Sequence, residues 1–466
     1  MAFSSSQSAQ NYLQQAQKAR KEKRIQDAIS LYQQVLRTNA SNVAAQKALG
    51  DIYFSQKDYS LAKKYYIEAM KLSSEDSFIC LRLGRIADIL GQWDEAVTHY
   101  EHAAYLNPRE FGAYQHLAEG YFVRKQLEKA EDKYKKAIEA GSPMPWVRFK
   151  IGQIARQKGD VQTAIDYFQK AIALNPNNPN FKLTLGDVYF SQKELQQAEE
   201  AYKAAITIKQ DLFPAHFKLG RTYQMRQQLN DAIASFNTAI ELKPQDFQSH
   251  QWVGEAHFAK KTYSLAESHY SKAIDLGSSA PWVRFKLGRI AQIQKDLEKA
   301  TAYFENAIAL NPKNPQFHYC LGTVQAQQGE IENAKASYEK ALSINSNHKP
   351  SQEGLWALEE KMEGNGVSPQ PEVALPTVAK PEVVQAELRI ADKKNAVEEK
   401  TVATVDPNIV AQAPMEAPTS ETQSSADAMR NGQSAGYQIK PATSEPAEEE
   451  PHPNGFIEKI WQRLFG

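Results

Sequence analysis

Cysteine is almost missing from this chain: Cys80 and Cys320 are the only two, some 240 positions apart. One such pair cannot supply a disulfide framework, so a reducing compartment is expected, with both thiols as buried apolar filler. Surplus charge is missing too. Lys and Arg number 55, Asp and Glu 55, which leaves no bulk attraction for nucleic acid or anionic lipid. No 18 apolar residues run together, so no ordinary spanning helix is expected. The opening Met1-Ala2-Phe3-Ser4-Ser5-Ser6-Gln7 lacks the basic and apolar regions of a secretory signal. These absences predict a soluble, cytoplasmic chain. A glycine-rich phosphate loop and a Gly-x-Ser-x-Gly elbow are also lacking. His99 and His102 lie three apart without a third ligand and read as solvated helix surface; His250 and His257 read as packing residues. No catalytic residue, cofactor or metal is therefore expected.

What is present is a period. In a 34-residue window the eighth position reads Gly50, Gly84, Ala118, Gly152, Gly186, Gly220, Gly254, Gly288 and Gly322. Twelve residues on stand Ala62, Ala96, Ala130, Ala164, Ala198, Ala232, Ala266, Ala300 and Ala334. Four further on come Tyr66, Tyr100, Tyr134, Phe168, Tyr202, Phe236, Tyr270, Phe304 and Tyr338, with alanine three beyond each, from Ala69 to Ala341. A degenerate first copy (Ala16, Ala28, Tyr32) begins near Ala9, so ten windows fill 9–348 without insertion or deletion. Each window holds two helical stretches, apolar at i, i+3, i+4 and i+7. The small residues at positions 8 and 20 let the two helices approach, and the aromatic at 24 is expected to fill the gap to the next hairpin. Pro108, Pro176, Pro244 and Pro312 mark the stop of the second helix, and Asp58, Asp160 and Asp296 its start as N-caps. One hairpin buries too little apolar surface to offset ordering its chain, so stability must come from stacking neighbours.

This pattern resembles the tetratricopeptide repeat family over about 340 of the 466 residues. The resemblance implies an all-α fold, a right-handed α-solenoid whose first helices line a concave groove through positions 2, 5, 6, 9, 12 and 13. Residues 349–363, with Leu355, Trp356 and Leu358, look like the extra helix that caps such arrays by covering the last hairpin. Position 9 alternates between acid and mostly base: Asp51, Arg85, Glu119, Gln153, Asp187, Arg221, Glu255, Arg289. Position 6 is basic in odd repeats (Arg82, Lys150, Lys218, Lys286), and position 12 is Phe54, Phe122, Phe190 and Phe258 in even ones. Two readings stay open and compatible: a surface salt-bridge ladder between neighbouring position-9 residues, or a groove that holds an extended peptide bearing acidic and apolar side chains. The Lys–Asn pattern with which some relatives clamp a C-terminal carboxylate is absent, since Lys47 is followed by Asp51. The block Pro145-Trp146-Val147-Arg148-Phe149-Lys150 recurs as Pro281-Trp282-Val283-Arg284-Phe285-Lys286, four repeats on, which duplication alone explains.

Residues 1–8 read as an N-terminal tail. From 364 to 453 the period stops; half the prolines, 11 of 22, fall here with seven Lys/Arg against fourteen Asp/Glu. Such a composition predicts a disordered acidic linker, with a coil reach of roughly 50–60 Å. Residues 454–466 then form an amphipathic segment with Phe456, Ile457, Ile460, Trp461, Leu464 and Phe465 on one half of the wheel. Too short to stand alone in water, it is expected to fold as a docking helix on a protein surface, or to make a weak membrane-interface contact, or to fold back on the solenoid. The expected function is a protein–protein interaction scaffold for a protein or peptide partner. The alternatives are a non-catalytic, substrate-presenting subunit of a glycosyl- or sulfo-transfer system, or a peripheral membrane tether.

Overall fold

The structure is a computed structural model and describes residues 2–362. The linker 364–453 and the docking helix with Phe456, Ile457, Ile460, Trp461, Leu464 and Phe465 lie outside the described residues. The chain divides into one unit through Glu359 and a second from Glu360. The first unit is an α-solenoid of helical hairpins, without a strand among the described residues. Repeats 1 to 4 are α1 (Ala2–Lys21) and α2 (Ile25–Thr38), α3 (Val43–Ser55) and α4 (Tyr59–Leu72), α5 (Ser77–Ile89) and α6 (Trp93–Leu106), α7 (Phe111–Val123) and α8 (Leu127–Glu139). Repeats 5 to 7 are α9 (Pro145–Lys158) and α10 (Val161–Leu174), α11 (Pro179–Ser191) and α12 (Leu195–Ile208), α13 (Phe213–Met225) and α14 (Leu229–Leu242). Repeats 8 to 10 are α15 (Phe247–Ala259) and α16 (Tyr263–Asp275), α17 (Pro281–Ile293) and α18 (Leu297–Leu310), α19 (Pro315–Gln328) and α20 (Ile331–Ile344), followed by α21 (Lys349–Met362). The first helix thus starts at Ala2, ahead of the window that opens at Ala9.

The framework residues close each hairpin by steric fit. A Cβ added to Gly186 would come within 2.6 Å of the Tyr202 ring, and one on Gly84 within 2.6 Å of Tyr100. The aromatic at position 24 therefore lies over the glycine of its own hairpin, and not only between hairpins as the spacing suggested. Position-20 alanines such as Ala62, Ala96 and Ala130 are fully buried beneath it. Asp58, Asp160 and Asp296 cap the second helices by accepting from Leu61 N, Thr163 N and Lys299 N. First helices carry caps of their own at Asn42, Asp76, Asn178, Asp246 and Asn314, a signal the period alone did not single out. The turn inside every hairpin passes through left-handed backbone at position 15. Glycine stands there at Gly91, Gly159 and Gly329, but Lys23, Lys57, Lys125, Lys193, Gln227, Lys261 and Lys295 accept the same strain.

The four-repeat recurrence marks two matching junctions. After α8 and after α16 the chain turns through Gly141 and Gly277, both at positive φ. The next serine is buried: Gln115 donates to Ser142 Oγ at 2.7 Å and Gln251 to Ser278 Oγ. Arg148 and Arg284, from the recurring block, donate to the carbonyls of Ser142 and Ser278 at 3.2 and 3.1 Å.

At the C-terminal end α21 packs Leu358 against Ala334 and Tyr338, with Leu355 partly buried beside them. Gly354 permits the approach, since a Cβ there would meet the Tyr338 ring at 2.8 Å. Trp356 does not share in this cover, contrary to expectation: it is 65% exposed. A helix with apolar residues at 355, 356 and 358 cannot bury all three on one face, and the two leucines take it.

Candidate peptide-binding face

Successive first helices lie side by side: α5 touches α7, and α13 touches α15. At the alternate junctions, α3 with α5, α7 with α9, α11 with α13 and α15 with α17, position 9 of one repeat meets position 6 of the following one. Asp51, Glu119, Asp187 and Glu255 each become the centre of a small network. Each accepts from the position-24 tyrosine of its own hairpin: Tyr66 to Asp51 at 2.5 Å, Tyr134 to Glu119 at 2.5 Å, Tyr202 to Asp187 at 2.9 Å and Tyr270 to Glu255 at 2.7 Å. Each also faces the position-6 cation of the next hairpin: Arg82 to Asp51 at 3.4 Å, Lys150 to Glu119 at 2.9 Å, Lys218 to Asp187 at 2.7 Å and Lys286 to Glu255 at 3.0 Å. The ladder expected between neighbouring position-9 residues thus runs, at these four rungs, from position 9 to position 6. Burial, and then the adjacent carboxylate, pushes the Tyr66, Tyr134, Tyr202 and Tyr270 hydroxyls well above the usual phenol range, so they remain donors.

The phenylalanines at position 12 lie under the same cations. Lys150 Nζ stands 4.3 Å from the Phe122 centroid, and Lys286 Nζ 4.2 Å from that of Phe258. Arg82 and Arg85 both sit over Phe54, at 5.3 and 4.9 Å. Arg221 lies between Phe190 at 5.3 Å and Trp252 at 4.8 Å. Such contacts contribute roughly 0.5–1 kcal/mol at exposed sites. The four phenylalanines and most of the cations remain partly open to solvent. Lys286 and Glu255 are the exception, each side chain only 10% exposed. Arg289 turns its Nε inward, where it finds no hydrogen-bond partner among the described residues. The sequence-predicted groove residues other than Arg289 are therefore found in pairs already engaged with one another.

The signal that would have disclosed the tyrosine arm lies in position 24 itself. Tyrosine accompanies an acid at position 9 in repeats 2, 4, 6 and 8, whereas Phe168, Phe236 and Phe304 accompany Gln153, Arg221 and Arg289. Three tyrosines depart from the rule: Tyr32 accompanies Gln17, Tyr338 accompanies Thr323, and Tyr100 accompanies Arg85, where its buried hydroxyl has no hydrogen-bond partner among the described residues. Between repeats 1 and 2 the face opens into a recess of about 790 Å³ bordered by Arg20, Lys21, Lys47 and Asp51.

The histidines sit deeper than expected. His99 and His102 are buried, not solvated. His102 Nδ1 lies 3.5 Å from Cys80 Sγ, and His99 lies 3.7 Å from Glu95, whose carboxyl is held down at about 2 by His99 and Lys63. His250 packs against His269, with Nδ1 atoms 3.3 Å apart, and His257 stacks on the same ring. Among the described residues no group of three or more His, Cys, Asp and Glu is arranged to hold a metal ion. Cys80 and Cys320 are free and buried, and burial raises both thiols, Cys80 to about 12.

Family comparison covers most of this array. Family models described as tetratricopeptide repeat match residues 19–87 and 155–212, 81–145 and 217–281, and 315–348; one described as TPR repeat matches 293–329. The chain belongs to the tetratricopeptide repeat family. No curated protein matches it. Similar solved structures include YrrB, described as a TPR protein with an unusual peptide-binding site, at 21% identity over 42% of this chain and 97% of that one, TM-score 0.37. PilF of Pseudomonas aeruginosa is 18% identical over 47% of this chain and 97% of its own, TM-score 0.39. MamA of Desulfovibrio magneticus RS-1 is 23% identical over 36% and 95%, TM-score 0.34. Among the described residues no helix is long and apolar enough to cross a membrane.

Proposed function

We propose that this tetratricopeptide repeat chain is a non-catalytic interaction scaffold that holds an extended peptide along its first-helix face. The observation that carries the reading is the alternation on that face: partly exposed phenylalanines at position 12 of even repeats next to cations at positions 6 and 9 of odd ones. A ligand that presents carboxylates and apolar side chains in turn meets both. The ladder does not oppose this. The Lys150 and Lys218 side chains stay 24% and 28% exposed in their rungs, so a partner carboxylate can reach them and compete for their charge. The rung between Glu255 and Lys286 is the least accessible and should contribute least to recruitment. Residues 456–465 supply the second docking element in this reading. Their apolar half, which includes Trp461, suits a groove on a protein surface, and their two cations give weak support for anionic lipid.

The test uses the full chain. Affinity capture with the Phe122→Ala/Phe190→Ala double variant should lose the partners that bind the wild type, while circular dichroism shows the helices intact. Partners retained by this variant and lost only when the chain is ended at Glu363 would assign recruitment to the C-terminal region instead.

A further inference from the structure

Arg85 differs from the four position-6 cations of the face, each of which meets a carboxylate. It is partly buried on α5, yet no carboxylate lies within ion-pair distance of it among the described residues. Its neighbour is a like charge. Burial, then Arg82, lowers the Arg85 pKa. Arg82 in turn shares Asp51 with Arg20, both at 3.4 Å, and the same carboxylate accepts from Tyr66. One acid therefore serves Arg20 and Arg82, and Arg85 beside them has none. The other even–odd junctions match one acid to one lysine. His116, stacked on Tyr100 at 5.2 Å, is pushed down to about 3 by burial and then by these two arginines.

A second observation concerns the next turn of the same helix. Ile89, four residues after Arg85, is 49% exposed, and Val123 on the adjoining α7 is 58% exposed. Aliphatic side chains this open on packed helices mark contact surfaces when they cluster beside an unmet charge.

Resting on the peptide-binding reading above, we propose that α5 and α7 form the anchoring subsite of that face. It takes an internal Asp or Glu of the partner on Arg85 and Arg82, with an adjacent aliphatic side chain seated on Ile89 and Val123. A guanidinium already stripped of part of its water gains more from a carboxylate than an exposed one does, and its planar fork suits bidentate pairing.

The probe is a fluorescein-labelled, C-terminally amidated peptide of repeated glutamate–glutamate–leucine units, read by anisotropy against the full chain. Arg85→Gln is expected to weaken binding about tenfold while the thermal midpoint holds or rises, because an unpaired buried charge has been removed. Arg85→Lys should recover only part of the loss, Ile89→Ser should weaken binding, and Lys63→Gln, away from the face, should not. Full affinity in Arg85→Gln, or a fall in its thermal midpoint equal to that of a packing defect, overturns the subsite. So does a peptide that binds only with a free C-terminus, or fails to bind at millimolar concentration. If Phe190→Ala and Lys218→Glu weaken the peptide while Arg85→Gln does not, the face stands and this anchor falls; if none of them matters, the face falls with it.

Discussion

Tyr100 and Tyr134 occupy one framework position and differ in a single hydrogen bond. Tyr134 donates to Glu119, whereas the Tyr100 hydroxyl is buried opposite Arg85 without an acceptor among the described residues. A buried polar group left unmade costs ~1–3 kcal/mol, while a satisfied one contributes ~1 kcal/mol. Tyr100→Phe should therefore stabilise the chain by about 1 kcal/mol, and Tyr134→Phe should destabilise it by a similar amount, as urea midpoints will show. Equal losses in both variants would refute the pairing of tyrosine with the acid of its own hairpin. At this scale the sequence exposed the framework and concealed the contacts. Gly186 and Tyr202 were legible because their sizes must be complementary at a fixed spacing. The partner of Glu119 was not, since whether it meets position 9 or position 6 of the next repeat depends on how two hairpins rotate against each other. His99 and His102 misled because one helix's pattern does not show what packs on it: His102 meets Cys80 on the first helix of its own hairpin.

At the scale of the element, eight of the ten hairpins are closed by one steric coincidence, glycine under an aromatic ring. Gly186→Ala would place a methyl 2.6 Å from a ring that is only 1% exposed and has no room to retreat. The expected loss is ~1–3 kcal/mol. It should appear as early hydrogen exchange confined to α11, α12 and their neighbours, because a solenoid is stabilised repeat by repeat. Exchange accelerated evenly from α1 to α20 would contradict that local picture. Helix stops and starts were legible where they used proline and aspartate, as at Pro176 and Asp160. The position-15 turn was not, because lysine adopts left-handed backbone at Lys57, Lys193 and Lys261 where glycine would have announced it. Trp356 shows the converse limit: an apolar residue in a short helix does not say which side the neighbour is on.

At the scale of the whole molecule, buried histidines tie stability to pH. His250, His257 and His269 meet in repeat 8, where burial lowers all three, aided by Lys272, by Lys260 and by one another, His269 to about 4. Unfolded, they take up protons near pH 6.5; folded, only at lower pH. The unfolded chain thus binds more protons between those values, and stability must fall as pH drops from 6.5 toward 4. Thermal melts at pH 7.5 and 5 should show the decline, and His269→Gln should flatten it. A midpoint that rises on acidification would reverse the sign and exclude the burial argument.

The first-helix face can be interrogated directly with a photo-cross-linking amino acid placed at matched exposure on both sides of the hairpins. Ile89 and Met225, 49% and 40% exposed, lie on first helices; Leu174 and Leu310, 48% and 44% exposed, end second helices. Irradiation in cells should join partner protein to the chain through Ile89 and Met225 and leave Leu174 and Leu310 unlinked. Cross-links that form through Leu174 and Leu310 alone would place the partner on the opposite side and contradict the account.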